Sequence, residues 1–221
     1  MPHGGSFVTV VGADLIQSCV PNPTYPSCDN GDMSNLTHVL VCGGVTEDWK
    51  AMTSTAWKTQ LKTLTNAVRG TGVRWLTVCP FSGVLSIEER DSIFHSVMDA
   101  CGGDMHHERV SYIAGEGLMV TIDPCADGRQ RIVAAVGRLQ HASEFDEAML
   151  AASVLSPSHD DPDLVVVLGQ PNQLPASLVW ELAYSELVFL DIPWTKCNVE
   201  HLQMAIDDFQ RRDRRFGGID S

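Results

Sequence analysis

The stretch Trp180–Gly218, WELAYSELVFLDIPWTKCNVEHLQMAIDDFQRRDRRFGG, decides how this chain of 221 residues is read. Its start extends a predicted helix over Ser177–Leu187, a short apolar strand follows, and a second helix is predicted over Asn198–Arg215. Asn198 suits the N-cap of that second helix, and Glu200 falls in the first turn, where the helix dipole favours negative charge. Val199, Leu202, Ala205, Ile206 and Phe209 recur at helical spacing and give the helix one apolar face. Arg211, Arg212, Arg214 and Arg215 sit where the dipole favours cations, and Gly217 and Gly218 are stop signals.

Upstream, apolar runs alternate with helical patterns. Thr37–Cys42, Val73–Cys79 and Asp163–Leu168 read as buried strands, and Arg109–Ile122 supplies one or two more around Gly115 and Gly117. Helices are predicted at Thr55–Arg69, Ile87–Cys101, Arg129–Leu139 and Asp146–Val154. Continuously apolar strands alternating with helices define an α/β fold, a single domain with a mostly parallel central sheet flanked by helices. That domain is assigned to residues 37–221. Residues 1–36 form an N-terminal segment with a possible strand at Phe7–Val11 and a Pro-rich loop from Val20 to Asn35.

The formal net charge of −13 argues against a nucleic-acid partner and against an anionic membrane surface. No apolar run reaches the roughly 18–20 residues of a membrane span, and the start lacks a basic leader, so a cytoplasmic location is expected. The seven cysteines include no CxxC pair. Cys42 and Cys79 fall within apolar runs and are expected to be buried free thiols, while Cys19 and Cys28 bracket the Pro-rich loop. His106-His107-Glu108 reads as a solvated turn, because adjacent histidines on one element seldom point at one ion. Asp160-Asp161-Pro162-Asp163 reads as a loop and cap before a strand. No P-loop, dinucleotide fingerprint or nucleophile elbow is present.

In open parallel sheets, ligands bind beyond the carboxyl ends of the strands. The positions that matter therefore follow Cys42, Cys79 and Leu168. The first is Gly43-Gly-Val-Thr-Glu-Asp48, the second Pro80-Phe-Ser-Gly-Val-Leu85, and the third Gly169-Gln-Pro-Asn-Gln173. None offers a lysine or arginine.

The Trp180–Phe189, Trp194–Cys197 and Arg212–Gly218 segments resemble the W-Q-x-A-Y-S-E-x-x-F, W-P-x-F and R-x-R-R-F-G-G motifs of the cis-prenyltransferases, the undecaprenyl and decaprenyl diphosphate synthase family. His38, Val39, Trp49, Gly72–Val78, Phe81-Ser82, Gly128-Arg129 and Asp163 extend the resemblance to residues 36–218. At the catalytic positions the chain departs from the family. Gly44 stands where the family has its metal-binding aspartate, and Asp48 where it has a phosphate-binding arginine. Val167 and Gln173 replace the two arginines that bind isopentenyl pyrophosphate, and Gly169 replaces the serine. Trp57 aligns with a small residue, and either fills pocket space or packs in the core. Glu186 matches the second metal-binding carboxylate.

The resemblance therefore implies a non-catalytic subunit, similar to the Nogo-B-receptor-like partners of heteromeric cis-prenyltransferases. Such a chain would pair with a catalytic paralogue, or with itself. It would offer Arg214, Arg215, Gly217 and Gly218 to a prenyl diphosphate in the partner's site, where most of the Mg²⁺ ligands would lie. The alternative is a remodelled prenyl diphosphate synthase or terpene cyclase on the same fold, using Glu47, Asp48 and Glu186 with Mg²⁺.

Overall fold

Strands that are buried on both faces need apolar residues at every position, and His38–Cys42 and Leu164–Leu168 are buried throughout. The computed structural model describes residues 36–142, 145–169 and 173–216, residues 212–216 through their backbone alone. Its elements are β1 (His38–Cys42), α1 (Thr46–Ala51), α2 (Ser54–Val68), β2 (Trp75–Cys79), α3 (Ile87–Cys101), β3 (Asp104–His106), β4 (Arg109–Ile113), β5 (Met119–Ile122), α4 (Gly128–Leu139), α5 (Glu147–Leu155), β6 (Leu164–Leu168), β7 (Glu186–Leu190) and α6 (Val199–Phe216).

The seven strands form one sheet in the order β3-β4-β5-β2-β1-β6-β7. β1, β2, β5, β6 and β7 run parallel, and the hairpin of β3 and β4 adds antiparallel pairs at one edge. The expected α/β fold with a mostly parallel sheet is thus observed. The larger core cluster joins Val39, Val41, Leu76, Val78, Val120 and Val166 of the sheet to residues of α2, α3 and α6. A smaller cluster on the opposite pleat gathers Leu40, Cys42, Cys79, Val165 and Val167 under Leu178. Cys42 and Cys79 are buried free thiols, and the neighbouring Cys42 thiol, followed by burial, pushes the Cys79 pKa up.

Local chemistry sets the helix ends. Ser86 and Glu89 form a capping box at the start of α3, and Gly102 closes it in the left-handed conformation. At the start of α6, Asn198 Oδ1 accepts from His201 N at 2.9 Å, as its cap role requires. Asp163 is a cap of another kind: its carboxylate accepts from the backbone N–H of Thr37 and of His38, tying the entry of β1 to that of β6.

One predicted element is corrected. Ser177–Leu187 is not an α-helix: 3-10 turns cover Ala176–Leu178 and Glu181–Ala183, and Glu186 and Leu187 open β7. Leu178 and Leu182 have helical spacing, but β6 needs a partner strand, and Glu186–Leu190 pairs with Leu164–Leu168 residue for residue. α1 and β3 are short elements that the sequence pattern did not indicate. His106-His107-Glu108 ends β3 and makes the hairpin turn, with His107 and Glu108 at positive φ. The N-terminal segment, with Phe7–Val11, Cys19 and Cys28, lies outside the described residues apart from Leu36.

Candidate functional site

The three strand-end segments do converge. Gly44, Val45 and Asp48 after β1, Phe81 and Ser82 after β2, and Leu168, Gly169 and Gln173 after β6 line one cavity of about 320 Å³, which Pro193, Trp194 and Thr195 close. Val167 does not reach it; it belongs to β6 and packs in the smaller core cluster.

The backbone around this cavity is already hydrogen-bonded. Gly43 N donates to Cys79 O at 3.0 Å, Thr46 N to Ser82 O at 3.0 Å, and Phe81 N to Gly44 O at 2.7 Å. Val45 N donates to the Asp48 carboxylate at 2.9 Å, and Gly169 N to Leu190 O at 2.9 Å. The β1–α1 loop is thus zipped to the loop after β2, and a Cβ on Gly83 would stand only 1.9 Å from Thr46 Oγ1. A phosphate cradle needs backbone N–H groups aimed at the ligand, with positive charge nearby. Here the N–H groups of Gly43, Val45, Thr46, Phe81 and Gly169 have protein acceptors, and Asp48 is the one ionisable side chain among the lining residues.

Behind the loop, three indoles share one cluster. Trp49 meets Trp57 edge-on at a centroid distance of 4.9 Å and stacks on Trp194 at 6.0 Å, while Trp57 lies 6.3 Å from Trp194. Trp49 Nε1 donates to Gly43 O at 2.9 Å, Trp194 Nε1 approaches Met52 Sδ at 3.3 Å, and Gln60 donates to Trp194 O. Trp57 is fully buried within the larger core cluster, which favours the core-packing alternative of the two posed for it. Such aromatic pairs add about 0.5–1.5 kcal/mol each beyond their buried area.

The carboxylates do not assemble a metal site. Glu47 is exposed, accepts from Thr46 Oγ1 and pairs with Lys50 at 3.4 Å; the first of these, with its own backbone, holds its pKa below the usual range. Asp48 caps its own loop through Val45 N. Glu186 pairs in register with Leu164, at the opposite end of the strand from Leu168, about 13 Å away at the usual rise of ~3.3 Å per residue. The structure therefore does not bring Glu47, Asp48 and Glu186 together, and no cluster of metal-ligating side chains occurs among the described residues. Mg²⁺ wants several carboxylate, phosphate or water oxygens in near-octahedral order, and a single engaged Asp48 does not fit that need. Of the tail, Arg214 and Arg215 lie on the last turn of α6, and their side chains lie outside the described residues, as do Gly217 and Gly218 altogether.

Two polar centres escaped the sequence pattern. His38 is buried between strands, its Nδ1 3.0 Å from Asp160 O and its Nε2 2.9 Å from Thr77 Oγ1, and burial lowers its pKa to about 4. On the α4 side, Asp123 at the end of β5 accepts from Arg109 Nε at 2.8 Å and lies 3.0 Å from Arg131 Nε; Arg131 Nη1 donates to Glu181. Burial raises the Asp123 pKa, but the Arg109 and Arg131 guanidiniums outweigh it and hold the carboxyl below its usual range. Only Glu181, where the resembling motif has glutamine, hinted at this network in advance.

An α/β sheet of this order, with its cavity at the strand carboxyl ends, defines a known class of fold. The structure aligns with a probable undecaprenyl diphosphate synthase from Campylobacter jejuni over 84% of this chain and 100% of that one, with a TM-score of 0.56 at 16% identity. It aligns with lavandulyl diphosphate synthase from Lavandula x intermedia, in complex with dimethylallyl diphosphate, over 79% and 94%, with a TM-score of 0.53 at 14% identity. In sequence, residues 105–217 match the prenyltransferase family model described as "Putative undecaprenyl diphosphate synthase".

The chain belongs to that family, the cis-prenyltransferases. It is 35% identical over 119 residues to the farnesyl-diphosphate-specific undecaprenyl-diphosphate synthase of Lactiplantibacillus plantarum, covering 54% of this chain and 45% of the relative. With the isoprenyl transferase of Bacillus subtilis it shares 30% over 112 residues, 47% and 43% of the two chains. The chain thus spans a little under half the length of the relatives it matches. The family match begins well after Gly44 and Asp48, so the β1–α1 loop lies outside the matched segment.

Proposed function

We propose that this chain acts in prenyl diphosphate synthesis as a non-catalytic subunit, paired with a catalytic cis-prenyltransferase paralogue. One observation carries this: the cavity at the ends of β1, β2 and β6 has no cationic residue among its described lining, and the amides of Gly43, Val45, Thr46, Phe81 and Gly169 around it are engaged. A diphosphate entering there would lose its hydration, gain no guanidinium and face Asp48.

The β7 edge of the described sheet suits an assembly role. β7 is an edge strand, and a groove of about 650 Å³ between β7 and α6 is lined by Val188, Leu190, Met204 and Ala205 with Asp207, Asp208 and Arg211 at its rim. Met204 is exposed there, an apolar centre with a polar rim as protein interfaces have. α6 leads from this groove to Arg214, Arg215, Gly217 and Gly218, which would complete the diphosphate site of the partner. The partner would supply the Mg²⁺ ligands.

The purified chain, given Mg²⁺, an allylic diphosphate and isopentenyl diphosphate, should release no diphosphate and make no prenyl product. Mixed with its catalytic paralogue it should raise turnover, and Arg215→Ala should abolish that gain while leaving complex formation intact. Product formation by the chain alone refutes the proposal.

A further inference from the structure

A second cavity, of about 180 Å³, lies on the α4 side of the sheet, bounded by α4, the β3–β4 turn, the Asp123–Asp127 loop and Gly83–Leu85. At ~30 Å³ per water it has room for about six waters, enough for a phosphate or diphosphate group. Four arginines line it: Arg90, Arg109, Arg131 and Arg138.

Their charges are unevenly answered. Arg90 pairs with Glu108 at 3.0 Å, Arg109 with Asp123 at 2.8 Å, and Arg131 lies between Asp123 and Glu181. Arg138 instead donates to neutral groups, Ser153 Oγ at 3.2 Å and Ser153 O at 2.6 Å. Arg131 Nη2 has no hydrogen-bond partner, although the residue is only 7% exposed. Buried guanidinium N–H groups left unpaired cost free energy, and a bound anion recovers it. Asp127, the remaining carboxylate of the lining, caps α4 by accepting from Arg129 N at 2.9 Å.

We infer that this cavity binds a small phosphate-class anion, held by Arg131 and Arg138, at a site separate from the cavity between Gly44 and Trp194. The surroundings agree. The His107 pKa is lowered first by burial and then by Arg138 and Arg109, and that of Arg138 first by burial and then by Arg109. Both groups thus feel a neighbouring guanidinium across the cavity. The inference does not depend on the subunit role, since a lone chain would bind the anion equally.

The test uses the full chain, with inorganic phosphate and inorganic diphosphate as probes in calorimetry and thermal unfolding. Saturable binding should raise the melting temperature in proportion to RT ln(1 + [L]/Kd). Arg138→Gln and Ala134→Glu, the latter placing a carboxylate against the cavity, should each weaken binding about tenfold or more, as loss of a charged hydrogen bond of about 1.5–3 kcal/mol requires. A Lys58→Gln/Lys62→Gln variant, at exposed positions of α2, should bind as the parent does, which separates this site from a general loss of positive charge. Hydrogen exchange of the unmutated chain, which needs no variant to fold, should slow in α4 and the loop before it when diphosphate is added. Absence of saturable binding, undiminished affinity in both folded cavity variants, or protection confined to the C-terminus would each overturn the inference.

Discussion

Placing an aspartate at Gly44, where the resemblance expects one, should destabilise the chain and create no activity. Gly44 has φ +72, a conformation in which a side chain costs about 1 kcal/mol even for a tolerant residue such as aspartate. A Cβ there would stand 3.0 Å from Trp194 Cγ and Cδ1 and 3.2 Å from Trp49 Cδ1, inside rings fixed by mutual stacking. Overpacking of that kind costs about 1–3 kcal/mol, so the total comes to about 2–4 kcal/mol. With a urea m-value of about 2 kcal/mol/M, the unfolding midpoint should fall by about 1–2 M. Gly44→Ala should lose a similar amount, because the Cβ and the backbone, not the charge, carry the cost. In a Trp194→Ala background the contact is gone, and the same Gly44→Asp change should cost only about 1 kcal/mol, a coupling that a double-mutant cycle reads directly. Stability within about 0.5 kcal/mol of the parent would refute the packing account, and Mg²⁺-dependent diphosphate release by the single variant would refute the account of the closed loop.

Acid should weaken the fold through His38. Its folded pKa, about 4, lies below the ordinary 6.5, so the unfolded chain binds the proton first. Stability is therefore full above pH 6.5 and falls as pH drops toward 4, by about 2 kcal/mol at pH 5 and about 3 kcal/mol at pH 4. Urea titrations of the parent and of His38→Gln at pH 7 and pH 5 check it: the variant should lose most of this pH dependence, and equal slopes would show that another group sets it. Glu181→Ala should cost about 3–5 kcal/mol, because it strands the buried Arg131 guanidinium; a cost near 0.5 kcal/mol by chemical denaturation would show that Asp123 alone neutralises it.

Much of the fold was legible because doubly buried parallel strands read as unbroken apolar runs. The helix predicted over Ile87–Cys101 is observed over the same residues, and in the structure a Ser86–Glu89 capping box and Gly102 fix its ends. Ser177–Leu187 failed for a tertiary reason. Helical spacing of Leu178 and Leu182 is a local property, whereas the pairing of Glu186–Leu190 with Leu164–Leu168 is decided by a strand more than 20 residues earlier. The same division holds for the candidate site. That residues after Cys42, Cys79 and Leu168 meet follows from parallel-sheet geometry and was readable. That Gly43 N and Thr46 N donate across to Cys79 O and Ser82 O was not, since backbone donors are the same in every sequence. Arg109, Asp123, Arg131 and Glu181 are likewise scattered over 73 positions, and nothing local pairs them.

Gly44, Asp48 and the tryptophan cluster act as one packed unit. Asp48 gives the β1–α1 loop an internal acceptor, and Val45 N donates to it. The loop then closes on the β2 loop through Thr46 N and Ser82 O, and Gly83 permits the close approach. Trp194 covers Gly43 and Gly44 and stacks on Trp49, whose indole N–H holds Gly43 O. Each step lowers the cost of the next, because a loop with no anion to bind is more stable with its donors paired and its apolar space filled. Diphosphate binding at this cavity would require opening that loop, freeing its amides, adding cations and removing a ring. The exposed β7–α6 groove and the helix leading to the arginine-rich end need none of these changes to meet a partner.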